Sequence, residues 1–441
     1  MHFALSQTTL TELADAPNVQ ATIAQSLEEL FGTPQDPRYA PLEAWTKDGV
    51  DPNRPDSPQG KPAQGNPAHG ASAQLDERRE ISAVEWAEIR AGNQRAFHRE
   101  LALVDAGRFD DVSLRSSSPA LRARWLELLS KRSGNSSGEK APVDAALREE
   151  ALRADGMRAE ARALLETWYP TLRESAELYR QQCLQCHGVE GGGDGPSSYL
   201  LDPKPRDYRQ GKFKFTAVKD QARPRREDLL RTLDQGLNGT SMPNFRRLSL
   251  AEREGLVDYV RFLSIRGEVE TRLVLTWKDE QELAPDAATT ETLDVWAKWQ
   301  SAAEKFVAFD GEVPPSTPER IARGDVLYHD ATKGNCASCH GAKGEGDGPV
   351  AYKTDARGKR VPAYEDAWGQ PILPRNLRQG IYRGGSRPID VYRRIYAGIN
   401  GGPMPALGEA KDAQGAPLFS PEDMWCLVHY VRSLCERPEG S

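Results

Sequence analysis

No apolar run in this chain approaches the ~18 residues that a membrane-spanning helix requires. Nor is there an excess of positive charge. Lys and Arg number 58 against 65 Asp and Glu, a formal net charge of −7. That argues against a nucleic-acid partner, whose footprint would be a basic patch. The basic stretch Arg223 to Arg226 is read as a solvated helix start. Sulfur and imidazole are scarce too: six Cys, five Met and seven His in 441 residues. Each position of these residues therefore carries information. A length of 441 allows two or three domains at about 100–200 residues each.

Four of the six cysteines fall in two runs, Cys183-Leu184-Gln185-Cys186-His187 and Cys336-Ala337-Ser338-Cys339-His340. A Cys-x-x-Cys-His run reads as a c-type haem attachment site. Its two thiols are spaced to add across the two vinyl groups of one porphyrin, and the adjacent imidazole can ligate the iron. A structural zinc site would place its Cys-x-x-Cys pairs roughly 15–20 residues apart, whereas about 150 separate these two. A thioredoxin-like redox pair has no need of the following His. Two intact runs imply two covalently attached haem c groups.

The opening Met1-His2-Phe3-Ala4-Leu5-Ser6 lacks the basic head and long apolar stretch of a secretory signal. Bacterial c-type haem is attached outside the cytoplasmic membrane. The expectation is therefore a periplasmic chain, or one on the outer face of that membrane. Its leader, lipid anchor or membrane helix would lie outside this sequence, and membrane association would run through it.

Residues 1–75 contain one expected short helix, around Thr22 to Phe31, ended by Gly32 and Pro34. Residues 51–75 are rich in Pro, Gly, Asn and Gln, with almost no large apolar groups. They cannot offset their ordering entropy and are read as a flexible linker. Residues 76–170 turn helical. Leu121, Trp125, Leu128 and Leu129 fall on one helix face. Residues 131–142 form a polar loop, and a further helix is expected from Val143 to Trp168, weakened by Gly156. No catalytic constellation occurs here, and His69 and His98 are isolated.

From Leu172 the sequence repeats itself. Glu177-Leu178-Tyr179 precedes the first haem run, and Val326-Leu327-Tyr328 precedes the second. Gly193-Asp194-Gly195-Pro196 matches Gly346-Asp347-Gly348-Pro349, each starting six residues after its His. Pro205-Arg206-Asp207 matches Pro374-Arg375-Asn376. A middle helix beginning near Asp228 matches one near Asp390. Gly236-Leu237-Asn238-Gly239-Thr240-Ser241-Met242-Pro243 aligns with Gly398-Ile399-Asn400-Gly401-Gly402-Pro403-Met404-Pro405. Each copy closes with a capped helix, opened by Ser249 with Glu252 and by Ser420 with Asp423. The last helices carry Tyr259 and Tyr430, expected in the core.

Each repeat resembles a class I cytochrome c domain, and the whole resembles a di-haem cytochrome c. The resemblance covers residues 171–265 and 317–437. It implies a mainly α fold: two tandem class I cytochrome c domains preceded by a partly disordered, helical N-terminal region. A bridge at 266–316 would carry a short helix around Glu291 to Val307, packed between the haem domains. The resemblance also implies His and Met ligation of iron, pairing His187 with Met242 and His340 with Met404. Composition agrees, because only Met242 and Met404 of the five methionines occupy equivalent repeat positions. Arg206 and Arg375 are candidate partners for haem propionates, since an Arg fork suits a carboxylate. Cys426 and Cys435 lie nine residues apart on one expected helix and face different sides, so a mutual disulfide is not expected. Burial is expected for Cys426. His329 and His429 have no counterpart in the first repeat.

An iron with both axial positions filled changes oxidation state and does little else, and a Met ligand raises its potential. The leading expectation is an electron carrier, not an enzyme, relaying single electrons between protein redox partners. Two alternatives stand beside it. One is a di-haem peroxidase, which needs one open iron. The other is a haem-bearing subunit of a larger dehydrogenase or terminal oxidase, which needs a stable partner.

Overall fold

The computed structural model describes residues 2–38, 104, 128, 156–158, 161, 172–309 and 311–435. The linker at 51–75, the helix face of Leu121, Trp125 and Leu129, the loop at 131–142 and both His69 and His98 lie outside the described residues. So does most of the helix expected over 143–168. Leu128 and Gly156 are described, and both are helical. The fold is mainly helical. Among the described residues no helix is long and apolar enough to cross a membrane.

The chain divides into two compact units. The first comprises Met1–Pro196 with Arg246–Asp294, the second Ser197–Phe245 with Val295–Ser441. His187 thus belongs to the first unit and Met242 to the second. His340 and Met404 share the second.

In the first unit, α1 (Gln7–Glu12), α2 (Pro17–Phe31) and α3 (Leu172–Gln182) all pack on one long helix. Helix α2 starts five residues before the expected Thr22, because Pro17 fits the first helical turn, where no amide bond is lost. The haem run follows as α4 (Leu184–His187), and the Arg226–Gln235 helix, α5, belongs to the second unit. The long helix, α6, spans Leu250–Glu280. Its start is the expected capping box: Ser249 N–H donates to Glu252 at 2.7 Å, and Glu252 N–H donates to Ser249 Oγ at 3.2 Å. It then runs 15 residues past Ile265, into the expected bridge. No proline interrupts residues 266–280, and Val269, Leu273 and Val274 continue the buried stripe. Aromatic rings fill the centre. Phe262 lies 5.9 Å from Phe31 and 5.5 Å from Tyr259, which in turn lies 5.1 Å from Tyr179. The ion pair of Arg266 and Glu270 (3.3 Å) is buried there, and Glu270 also accepts from the Thr9 hydroxyl at 2.7 Å.

Helix α7 (Ala287–Gln300) starts four residues before the expected Glu291 and tightens into a 3₁₀ turn over Ser301–Lys305. Two alanines at its start favour the earlier onset.

In the second unit α8 (Pro318–His329) crosses α11 (Pro421–Ser433), with α9 (Cys336–His340) and α10 (Pro388–Ala397) beside them. Thr317 caps α8, its hydroxyl accepting from the Arg320 amide. The crossing is close because Gly324 has no side chain: a Cβ there would lie 2.1 Å from the Cys426 carbonyl oxygen. Trp425 stacks on Tyr392 at 4.6 Å and meets the edge of Phe309 at 4.8 Å. Two hairpins interrupt the helices. Strand β1 (Tyr352–Thr354) pairs antiparallel with β2 (Arg360–Pro362), and β3 (Tyr364–Glu365) with β4 (Pro371–Ile372). The middle of the first repeat belongs to this unit. Arg231 of α5 pairs with Asp390 of α10 at 3.3 Å. Phe306 lies beneath the guanidinium groups of Arg225 (3.7 Å) and Arg393 (4.6 Å).

Candidate haem sites

Each Cys-x-x-Cys-His run forms one short helical turn, and positions three apart share a face there. Cys336 and Cys339 lie three apart within the second turn, while Cys183 caps the first turn, which contains Cys186. The Gly-Asp-Gly-Pro segments fold back over these turns in the same way twice. Gly193 N–H donates to the His187 carbonyl at 3.0 Å and Gly195 N–H to that of Cys186 at 3.1 Å. The partners in the second copy are Gly346 to His340 (2.8 Å) and Gly348 to Cys339 (3.1 Å). A tyrosine hydroxyl from the preceding helix closes each turn, Tyr179 on the Gly188 carbonyl at 2.9 Å and Tyr328 on that of Gly341 at 2.8 Å.

Burial pushes the Cys183 thiol up to about 12, with Cys186 adding to the effect, and pushes Cys336 up to about 11. Both are therefore neutral thiols at pH 7. Burial also lowers His340, which keeps its ring neutral. His340 Nδ1 faces the Arg375 carbonyl at 3.4 Å. A ring nitrogen held this way leaves Nε2 for a metal, as ligating histidines require. His187 is buried at 8% exposure.

The methionine loops also match. Each middle helix ends at a glycine with positive φ, Gly236 at +67° and Gly398 at +69°. The chain then turns so that Leu237 N–H donates to the Met242 carbonyl at 3.1 Å, and Ile399 N–H to that of Met404 at 3.2 Å. A Cβ on either glycine would stand 2.7 Å from its methionine carbonyl oxygen, so only glycine permits the turn. Met404, Cys336 and Ala337 all pack against one core cluster that includes Tyr328 and Leu407. Neutral thiols, an imidazole with one nitrogen held and a thioether on the same cluster suit a covalently attached haem.

Arg206 and Arg375 both lie in the second unit. The Arg206 guanidinium sits flat on Trp368, 3.5 Å from the ring centre. Burial brings it down to about 10, against the opposing pull of Asp366, Asp207 and Tyr208. Arg375 Nε donates to the Ile381 carbonyl at 3.1 Å, and its Nη2 lies against Gly239 of the Met242 loop. Both ring nitrogens of His329 lie against carbonyls, of Asp325 (2.9 Å) and Ala342 (3.0 Å). Those bonds raise its pKa, the Asp325 carbonyl first. His429, Cys426 and Tyr259 are buried in the helical cores. All six cysteines are free thiols, Cys426 and Cys435 included.

Sequence reasoning missed Asp366, Trp368 and Lys214. The signal was a length difference: Pro374 follows Pro349 by 25 positions, whereas Pro205 follows Pro196 by nine. The extra residues build the two hairpins. Lys214 Nζ meets Asp366 at 2.6 Å, both side chains nearly buried.

Residues 321–435 match the family described as cytochrome c. Residues 170–260 match the family described as cytochrome c oxidase, cbb3-type, subunit III. No curated protein matches the chain. Among solved structures it is similar to a chain of the reducing HAO-like protein complex of Kuenenia stuttgartiensis. The identity is 29%, with 60% of this chain and 96% of that chain covered, at a TM-score of 0.44. Cytochrome c domains imply covalently bound c-type haem and haem-based electron transfer. The two matched stretches support a cytochrome c with two haem-binding domains.

Proposed function

We propose that this chain is a di-haem c-type cytochrome that relays single electrons between protein redox partners, in the periplasm or on the outer face of the cytoplasmic membrane. Residues 171–265 and 317–437 each carry one haem. The observation that carries the reading is the equivalence of the two methionine loops, turn for turn, from Gly236 to Met242 and from Gly398 to Met404. Each haem supplies an iron that gains and loses one electron. Cys183 and Cys186 anchor the first haem, Cys336 and Cys339 the second. His187 and His340 would offer the imidazole ligands, and Met242 and Met404 the thioethers. Loops fixed in advance by their own hydrogen bonds reorganise little between oxidation states, which favours transfer over substrate binding. Arg206 and Arg375 are assigned to the propionates, since a guanidinium fork suits a carboxylate.

The test is peroxide turnover by the half-reduced holoprotein, followed with its spin state. The expected result is two low-spin haems and no turnover above background. Fast turnover with a high-spin haem would establish the peroxidase alternative instead. Met242→Ala and Met404→Ala should each open one iron to small ligands. Each should also lower one potential by on the order of 0.1 V, within the roughly 0.8 V that axial ligands span. Copurification of a stoichiometric dehydrogenase or oxidase from native membranes would favour the subunit alternative.

A further inference from the structure

The two methionine loops are held differently. In the first, Thr240 staples the loop from within: its hydroxyl donates to the Leu237 carbonyl at 2.7 Å and accepts from Met242 N–H at 3.1 Å. The equivalent position in the second loop is Gly402, which has no side chain to do this. The Met404 loop is tied from outside instead, at three places close together in sequence. At its start, Arg394 Nη1 donates to the carbonyls of Gly398 and Lys214, both at 2.9 Å. Two residues on, Asn400 Nδ2 donates to the carbonyls of Gln221 (3.2 Å) and Ala222 (3.4 Å). At Gly401 the second hairpin arrives: Ala367 N–H donates to the Gly401 carbonyl at 2.9 Å. The Trp368 ring lies so close that a Cβ on Gly401 would stand 2.7 Å from it.

The hairpin is itself fixed on the first repeat. Trp368 Nε1 donates to the Asp207 carbonyl at 3.2 Å, Arg206 covers the ring face, and Asp366 binds Lys214. Lys214, Gln221, Ala222, Arg206 and Asp207 all belong to the first repeat, although the loop they steady carries the second repeat's methionine. We infer that Trp368 and Asn400 are positioning residues for Met404, and that the first repeat, through them, sets how firmly the second iron holds its sulfur. The inference rests on Met404 as an axial ligand.

Imidazole serves as the probe, titrated into the oxidised full-length holoprotein of wild type, Trp368→Ala and Lys214→Met. Lys214→Met lies in the first repeat and removes the ammonium that meets Asp366 of the second hairpin. Trp368→Ala should lose about half of the sulfur-to-iron absorption band at sub-saturating imidazole, since one iron of two is affected. Its apparent affinity should rise at least about tenfold, or 1.4 kcal/mol. The responding iron is identified by its match to the spectrum of Met404→Ala. Lys214→Met should move the same iron in the same direction, less far, and leave the Met242 iron alone. Trp368→Phe, which keeps a ring against Gly401, should restore most of the band. If Trp368→Ala fails to fold, Gly401→Ala takes its place, pushing the loop off the ring, with the same result expected. Folded variants whose imidazole affinity stays within twofold of wild type would overturn the inference. So would a change at the Met242 iron instead. A wild-type protein with no sulfur band at the second iron would overturn the Met404 reading itself, and is thereby distinguishable.

Discussion

In the first repeat the chain passes from Pro196 to Pro205 in nine positions and reaches its methionine loop with no strand on the way. In the second, the same passage detours through two hairpins, and one of them bears on the methionine loop. Motif, fold-back and loop turn are otherwise reproduced to within a few tenths of an ångström in hydrogen-bond length. The difference teaches that the attachment chemistry and the support of the ligand are separable. The first is written in five residues, of which both cysteines and the histidine are the same in the two copies. The second is solved once by a threonine hydroxyl and once by an inserted tryptophan.

The comparison breaks most visibly if the copies do not load independently. Cys336→Ala with Cys339→Ala should remove one haem, leaving about half the haem absorbance in denatured protein, and the equivalent pair at Cys183 and Cys186 should do the same. Intact mass reads the result directly. A variant that loses both haems would show that one copy folds only after the other is loaded.

The helix crossings sharpen the comparison next. Gly324 and its counterpart Ser175 both sit where the first helix of a copy packs on the last, and both positions are occupied by small residues. Gly324→Leu has nowhere to place its side chain, because Cys426 and Tyr430 already fill the space. It should cost about 3 kcal/mol, the upper end for overpacking, measured by denaturant melts. Ser175 is fully buried, and its hydroxyl finds no hydrogen-bond partner among the described residues. Ser175→Ala should therefore be neutral or stabilising by up to about 1 kcal/mol.

A smaller effect concerns acid. Burial would raise Asp366. Hydrogen bonds from Lys214 and from the amides of Gln370 and Trp368, both at 3.0 Å, outweigh it and hold the carboxyl below its ordinary value. Lys214 is also lowered, there because burial outweighs Asp366. A depressed carboxyl contributes stability that is fully present above its unfolded pKa, near 4, and is lost as pH falls through the lower folded value. Asp366→Asn should flatten that acid limb, measured by thermal melts across the acid range. Because Asp366 binds Lys214, the change should be read in the melting profile of the whole second unit.

Much of this was legible in the residues. The attachment runs, the caps at Ser249, Thr317 and Ser420 and the glycine-ended middle helices follow from local chemistry, and the structure forms each of them. The expected burial of Cys426 is also found. Three things were hidden because they depend on distant partners. The continuation of α6 past Ile265 has no local stop signal, so only its burial decides it. The role of Trp368 requires Arg206 and Gly401, which stand 162 positions before it and 33 after it. Arg206 reads in sequence as a candidate partner for a haem propionate, and its guanidinium lies on an indole.

Helix α6 carries one further consequence. Every residue from Gly255 to Glu270 is buried, polar ones included, so more than four turns have no wet side. A helix ordinarily sheds its outward hydrogen bonds first, one amide at a time. Here no outward amide exists along that stretch, and its hydrogens can trade with solvent only when the surrounding unit opens as a whole. The final turns around Leu275, which is half exposed, are free to fray. One rod about 46 Å long thus holds two clocks, a slow one that counts unfolding of the unit and a fast one that counts the breathing of its tip.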